Sequence, residues 1–264
     1  MRHWFRTGLT GVSLFVLATT CLPVSASLDD SVKARGLVDS ARVTLDNMLS
    51  DSRNTWFQDK LKDAKAILIV PQMLKGGFIF GGAGGSGVML KRDDATGQWS
   101  YPAFYTMGSV TFGLQIGAQA AGVVLLVMTD RAVDAFMSNK VQLGGDLSIA
   151  AGPIGGGAQA ATIDVYAFSR SKGAFVGATL EGSVITVRNS LNEAYYNQSV
   201  RPVNILITHT VVNRQADPLR QSLAKAGQPI PVAMSPEPPA APAEGVSVTP
   251  SSVPASGTAV AQPQ

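Results

Sequence analysis

Residues 99–119 read WSYPAFYTMGSVTFGLQIGAQ, and the period of this stretch decides the fold class. Phe112, Leu114, Ile116 and Ala118 fall on one side of an alternation. Thr111, Gly113, Gln115, Gly117 and Gln119 fall on the other. A period of two is that of a strand with one apolar face. The opposite face is small enough for another sheet, or an apolar group, to lie close against it. The nearly uncharged run from Val110 to Met128 has the length of a membrane span. Its glycines, its two glutamines and its two-residue alternation favour strands instead, with Val123–Met128 a second, buried one.

Outward from this stretch, the chain reads as one β-rich domain. It has 264 residues, 45% hydrophobic and 15% charged, with 27 glycines set mostly between apolar residues. Leu28, Ala34, Leu37, Val38, Ala41, Leu45, Met48 and Leu49 recur at helical spacing, predicting a helix over 27–50. Asp51-Ser52 caps a second helix carrying Trp56, Phe57 and Leu61. Ala66–Val70 is a buried strand that Pro71 ends. Phe78–Phe80 and Val88–Leu90 are short strands around Gly82, Gly84 and Gly87. Those glycines satisfy GxGxxG in letter, but a strand follows where a dinucleotide site needs a helix. Asp130 caps a short helix with Val133 and Phe136. The segment 143–187 reads as a second glycine-rich strand pair, turning at Ser169–Gly173. Helices are expected at 189–196, capped by Asn189 or Ser190, and at 218–226. The predicted fold class is α+β: a glycine-rich antiparallel, curved or barrel-like sheet with flanking N-terminal, internal and C-terminal helices.

The ends carry processing and tail signals. Arg2, His3 and Arg6, the apolar run Leu9–Thr20 and the small residues Val24-Ser25-Ala26 predict an export signal over 1–26. Lipidation at Cys21 is the alternative, which the preceding Leu17-Ala18-Thr19-Thr20 fits poorly. Removal of the signal leaves 19 basic against 18 acidic residues, a net charge of +1. That charge gives no case for nucleic-acid binding. Residues 228–264 hold nine of the 15 prolines and no basic or aromatic residue, a composition that predicts a disordered tail. The domain proper is then 27–227, in an exported, periplasmic or envelope setting.

Catalytic patterns are missing. His209, between two threonines, is the sole histidine outside the signal, and no G-x-S-x-G or metal-loop spacing occurs. No enzyme activity, cofactor or metal is expected. Asp164 and Glu181 read as solvent-facing positions on half-buried strands, or as surface partners of Arg170 or Lys172.

An ordered set of blocks resembles the SYLF domain family, also called the Ysc84 actin-binding domain family, over about residues 31–227. The blocks include Lys75-Gly76-Gly77-Phe78, Gly85-Ser86-Gly87-Val88, Trp99 with Tyr101-Pro102-Ala103-Phe104, and Gly113-Leu114-Gln115-Ile116-Gly117. Ala151-Gly152-Pro153-Ile154-Gly155, Lys172-Gly173-Ala174-Phe175-Val176-Gly177, Leu180-Glu181-Gly182, Asn192 and Tyr195 complete it. The resemblance implies a domain that binds anionic phospholipid, with actin binding among eukaryotic relatives. For an exported chain it implies lipid or membrane association, with Lys62, Lys65, Lys75, Lys91, Arg92, Arg170 and Lys172 as candidate phosphate contacts. A structural or self-associating envelope protein is the alternative.

Overall fold

The computed structural model describes residues 24–52, 55–77, 80–112, 119–151, 163–170 and 180–227. The signal region to residue 23, the Gly113–Gly117 marker, Gly152, Pro153, Lys172, Gly173, Phe175, Gly177 and the tail 228–264 lie outside them.

Helix α1 (Val24–Leu49) begins the described chain, so the expected cleavage after Ala26 falls in its first turn. Ala34, Val38, Ala41, Leu45 and Met48 are buried, at spacings of three and four. This stripe packs on the sheet and on the C-terminal helices. Helix α2 (Thr55–Asp63) lays Trp56 and Phe57 on β7 (Val165–Arg170), with ring centroids 5.0 Å from Trp56 to Phe168 and 4.9 Å from Phe57 to Phe168.

Eight strands form one curled, half-barrel sheet. The remaining strands are β1 (Ala66–Gly77), β2 (Phe80–Lys91), β3 (Ala103–Phe112), β4 (Gln119–Val127), β5 (Lys140–Gln142), β6 (Ile149–Ala151) and β8 (Val184–Val187). Their order is β5-β8-β3-β2-β1-β4-β7-β6. Every pair is antiparallel except β6 with β7, so the sheet is mixed. The alternating stretch supplies the end of β3 and the start of β4, and among the described residues no helix is long and apolar enough to cross a membrane.

Pro71 does not end β1. The strand runs on for six more residues, between β2 and β4. It does so through a bulge: Ile69 pairs with Val88 and Leu74 with Gly84, five steps on β1 against four on β2. The same extra residue appears against β4, between Val70↔Val123 and Met73↔Ala121. A bulge leaves one residue unpaired, which is how a central strand accommodates a residue with no N–H. The bulged backbone crowds Gly87 of β2, where a Cβ would stand 2.6 Å from the Ile69 carbonyl oxygen. The glycines that spelled GxGxxG therefore sit inside one continuous strand with Val88–Leu90, which begins at Phe80; Phe78 and Ile79 lie outside the described residues.

A second correction concerns β7 and β8. They do not form the expected hairpin: β7 pairs with β4 and β6, whereas β8 pairs with β3 and β5. The edge strands β5 and β6 are neighbours in sequence, joined by residues 143–148. So short a link brings the two sheet edges together. Leu143 and Leu147 bridge there, Gly144 takes φ +79°, and Leu143 N–H reaches the Ser183 carbonyl at 2.9 Å.

Helix α3 (Asp130–Phe136) is capped by Thr129, whose side chain accepts from Ala132 N–H; Asp130 is its first residue rather than its cap. Tyr105 donates to the Phe136 carbonyl at 2.8 Å, tying β3 to this helix. Helix α4 (Asn189–Tyr196) follows Arg188, with no side-chain cap from Asn189 or Ser190. Asn192 is fully buried and accepts from Phe104 N–H at 2.9 Å, while Tyr196 donates to the Pro102 carbonyl at 2.7 Å. Helix α5 (Pro202–Leu206) and helix α6 (Asp217–Ala226) complete the domain, α6 with Pro218 in its first turn.

Candidate functional site

Four of the seven candidate cations converge where β1 begins and β2 ends. Lys65 and Arg92 are joined by backbone, Arg92 N–H to the Lys65 carbonyl at 2.8 Å, and Arg92 Nη1 reaches the Lys62 carbonyl at 2.5 Å. Aspartates stand among them. Lys62 pairs with Asp59 at 3.0 Å, Lys65 with Asp130 at 2.8 Å, and Lys91 with Asp94 at 3.5 Å. The hydrogen bond to Asp130 raises the Lys65 pKa. Three ammonium groups thus already have carboxylate partners, a balanced cluster rather than an open phosphate cradle. Lys75 belongs to the far end of β1, opposite Ala83 and Gln119, and Arg170 ends β7 opposite Gly122. Their side chains, and the whole of Lys172, lie outside the described residues.

The outer side of α1 was not among the candidates. Leu28, Val32 and Val43 are 64%, 68% and 59% exposed. With Arg35 and Arg42 between them they follow helical spacing, on the side away from the buried Ala34–Met48 stripe. The signal was legible: Leu28 fits the apolar series poorly once Val32 and Val43 are placed on the helix with it. Below this side, Asp39, Ser40, Val43 and Thr44 face Pro71, Gln72, Ala121 and Gly122 across an open groove of about 530 Å³.

A third region surrounds the marker residues Trp99 and Pro102, both buried. Arg220 of α6 donates from Nε to the Trp99 carbonyl at 2.7 Å and from Nη1 to Asp217 at 3.0 Å. Its guanidinium stands 4.2 Å from the centre of the Tyr101 ring. Tyr101 donates to the same Asp217 oxygen at 3.0 Å. Beside it lies a pocket of about 270 Å³, lined by Asp93, Thr96, Gln98, His209 and Val212 among others. His209 Nδ1 lies 3.2 Å from the Ile205 carbonyl oxygen and Nε2 lies 4.0 Å from Asp93 Oδ2. Among the described residues no group of three or more His, Cys, Asp or Glu stands together.

Asp164 departs furthest from its reading. It is 2% exposed and precedes β7, rather than facing solvent or pairing with Arg170 or Lys172. Burial pushes its pKa up, but hydrogen bonds from Thr129 and Ser148, together with the Arg131 guanidinium, outweigh it and hold the carboxyl below the usual range. Glu181 is exposed, and Gly182 takes φ +80° in the turn before β8.

This curled sheet, with α1 and α4 packed against it and α6 against α1, is an α+β fold, and comparison bears out the resemblance seen in the sequence. Residues 108–226 match the family model Ysc84, described as Las17-binding protein actin regulator, a family also called SYLF. Protein YSC84 of Saccharomyces cerevisiae is 36% identical over 171 residues, 62% of this chain and 36% of that protein. LAS seventeen-binding protein 3 of the same yeast is 36% identical over 169 residues, 61% of this chain and 36% of that protein. The human SH3 domain-containing YSC84-like protein 1 is 32% identical over 166 residues, 61% and 48% of the two chains. The chain thus spans less than half the length of these relatives. No solved structure matches it.

Proposed function

We propose that the domain is a non-enzymatic binding module for anionic phospholipid surfaces in the cell envelope. One observation supports this above the others: the outer side of α1 exposes Leu28, Val32 and Val43, with Arg35 and Arg42 at the same helical spacing. Isolated exposed apolar residues are ordinary, but three in register along about 22 Å of one helix are not. Apolar side chains entering the headgroup boundary, with arginines meeting lipid phosphate, are the elements of interfacial binding. Asp39 and Asp46 on the same side temper the attraction, and Arg42 already pairs with Asp46 at 3.4 Å. The cations at the start of β1 contribute less, because aspartates already pair with three of them.

The test is co-sedimentation of the full chain with vesicles of phosphatidylcholine alone and with phosphatidylglycerol added. Binding that needs the anionic lipid and is lost in Val32→Asp with Val43→Asp supports the reading. Equal recovery with both vesicle types, or binding unchanged in the double variant, removes it.

A protein-interaction role is the second reading, favoured by the family's description as Las17-binding actin regulators. In an envelope setting the partner would be another envelope protein or a second copy. A stable dimer by light scattering that survives the double substitution would support it over the lipid reading.

A further inference from the structure

On the other side of the Arg220–Tyr101 stack, Arg214 and Arg220 line one pocket of about 370 Å³. That volume falls in the range of small-ligand clefts, roughly 300–1,000 Å³. The local fold explains why both arginines reach it. A short 3₁₀ turn, Arg214–Ala216, runs directly into α6. Arg214, Asp217, Gln221 and Ala224 then recur at spacings of three and four, so one side of this segment lines the pocket. Gln98, Trp99 and Tyr101, just before β3, form the facing wall.

The only acid of the pocket is already engaged. Asp217 Oδ1 accepts from Tyr101 Oη at 3.0 Å and from Arg220 Nη1 at 3.0 Å. Arg220 is held in place by that bond, by its Nε bond to the Trp99 carbonyl at 2.7 Å and by the Tyr101 ring, and its Nη2 takes no part in these bonds. Arg214 is exposed, and among the described residues it makes no ion pair and no side-chain hydrogen bond. It nevertheless lies close enough to act on the Tyr101 phenol, where burial leads the upward shift and the Arg214 charge opposes it. The side-chain amides of Gln98 and Gln221 hold no hydrogen bond among the described residues either. Two guanidiniums against one carboxylate leave the lining at a net charge of +1.

We infer that this pocket is an oxyanion site in which Arg214 and Arg220 Nη2 hold a phosphate monoester, with the amides of Gln98 and Gln221 as further donors. A guanidinium carries a fixed charge in a planar fork that matches phosphate oxygens. Donors from four side chains need more than the two oxygens of a carboxylate, and a monoester presents three around one phosphorus. The prior anchoring of Arg220 means that little of its side-chain freedom is lost on binding. A soluble phosphate ester and a lipid headgroup carry this same chemistry. The site belongs to α6 rather than to the outer side of α1, and it does not rest on the lipid reading.

Titration of the ¹⁵N-labelled full chain with inorganic phosphate, at an ionic strength held constant with sodium chloride, tests this by NMR and calorimetry. The reporter is Arg220 Nε–H, whose bond to the Trp99 carbonyl slows its exchange, and Arg220→Lys identifies its resonance. Phosphate should move this resonance saturably, and affinity should fall roughly tenfold or more in Arg214→Gln. Lys225→Gln removes a charge from the same helix outside the pocket and should bind phosphate as wild type does. Val32→Asp with Val43→Asp should do so too, so the lipid reading can fail without this one. An unmoved Arg220 resonance, or equal losses in Arg214→Gln and Lys225→Gln, overturns the inference. Vesicles of phosphatidylcholine with phosphatidic acid separate the two sources. Once phosphate binding is established, recovery that falls in Arg214→Gln assigns the site to a lipid headgroup, and unchanged recovery assigns it to a soluble ester.

Discussion

Ser148 meets Asp164 at three points: its N–H and Oγ both donate to Asp164 Oδ2, at 3.0 and 2.8 Å, and its Oγ accepts from Asp164 N–H at 2.9 Å. Thr129 Oγ1 donates to Oδ1 at 2.7 Å, and Arg131 pairs with Oδ2 while its Nη1 reaches the Asp146 carbonyl at 3.0 Å. One buried carboxylate therefore ties the entry to β7, the start of α3 and the 143–148 turn where the sheet edges meet. Asp164→Ala strands all these donors, and we expect a loss of about 2–4 kcal/mol in chemical denaturation.

The same carboxylate sets an acid dependence. Its folded pKa lies below the unfolded value, so the stabilisation is present above the unfolded pKa and is lost as pH falls through the folded one. Denaturation midpoints measured from pH 6 down to about 2 should fall less steeply in Asp164→Asn than in wild type.

The bulge at Pro71 makes a position-specific prediction for glycines in one strand. In Gly87→Ala the new Cβ would stand 2.6 Å from the Ile69 carbonyl oxygen and 2.8 Å from Val70 Cγ2. We expect a cost of about 2–4 kcal/mol. Gly84→Ala, where the nearest atom is the Met107 carbonyl oxygen at 3.8 Å, should lie within about 1 kcal/mol of wild type. Equal losses at the two positions would mean that β1 is not bulged over β2.

Arg220 holds α6 by a fork and a stack together. Arg220→Lys keeps the charge but loses the Trp99 carbonyl bond and the face of Tyr101. A loss of about 1–2 kcal/mol is expected, with faster amide exchange concentrated in Asp217–Ala226. Uniformly faster exchange would place the anchor elsewhere.

All five tyrosines have phenol pKa values pushed up, led in each case by burial. Raised folded values mean stability that is complete below the unfolded pKa near 10 and is lost as pH rises. In an alkaline absorbance titration, phenolate should appear late and together with unfolding. A reversible step near pH 10 in folded protein would contradict the burial of the ring cluster.

Much of this was written locally. The α1 stripe, the apolar run of β1, the strands β3 and β4 and Pro218 in the first turn of α6 follow from spacing within a few residues. The candidate cations were legible as charges near apolar strands, but not as ion pairs: Lys65 meets Asp130 and Lys91 meets Asp94 only once β1, β2 and α3 are assembled. Asp164 looked like a solvent-facing carboxylate because its partners Arg131 and Ser148 are remote in sequence.

By itself the sequence determined most element types, including the strand at 103–112, because side-chain period is a property of one segment. Its ordered marker blocks also pointed to the family. Tertiary structure decided that Pro71 lies inside a strand, that β7 and β8 stand on opposite flanks of the sheet, and that Asp164 is buried. Each of these depends on which distant backbone supplies the missing partner, and no local pattern encodes that choice.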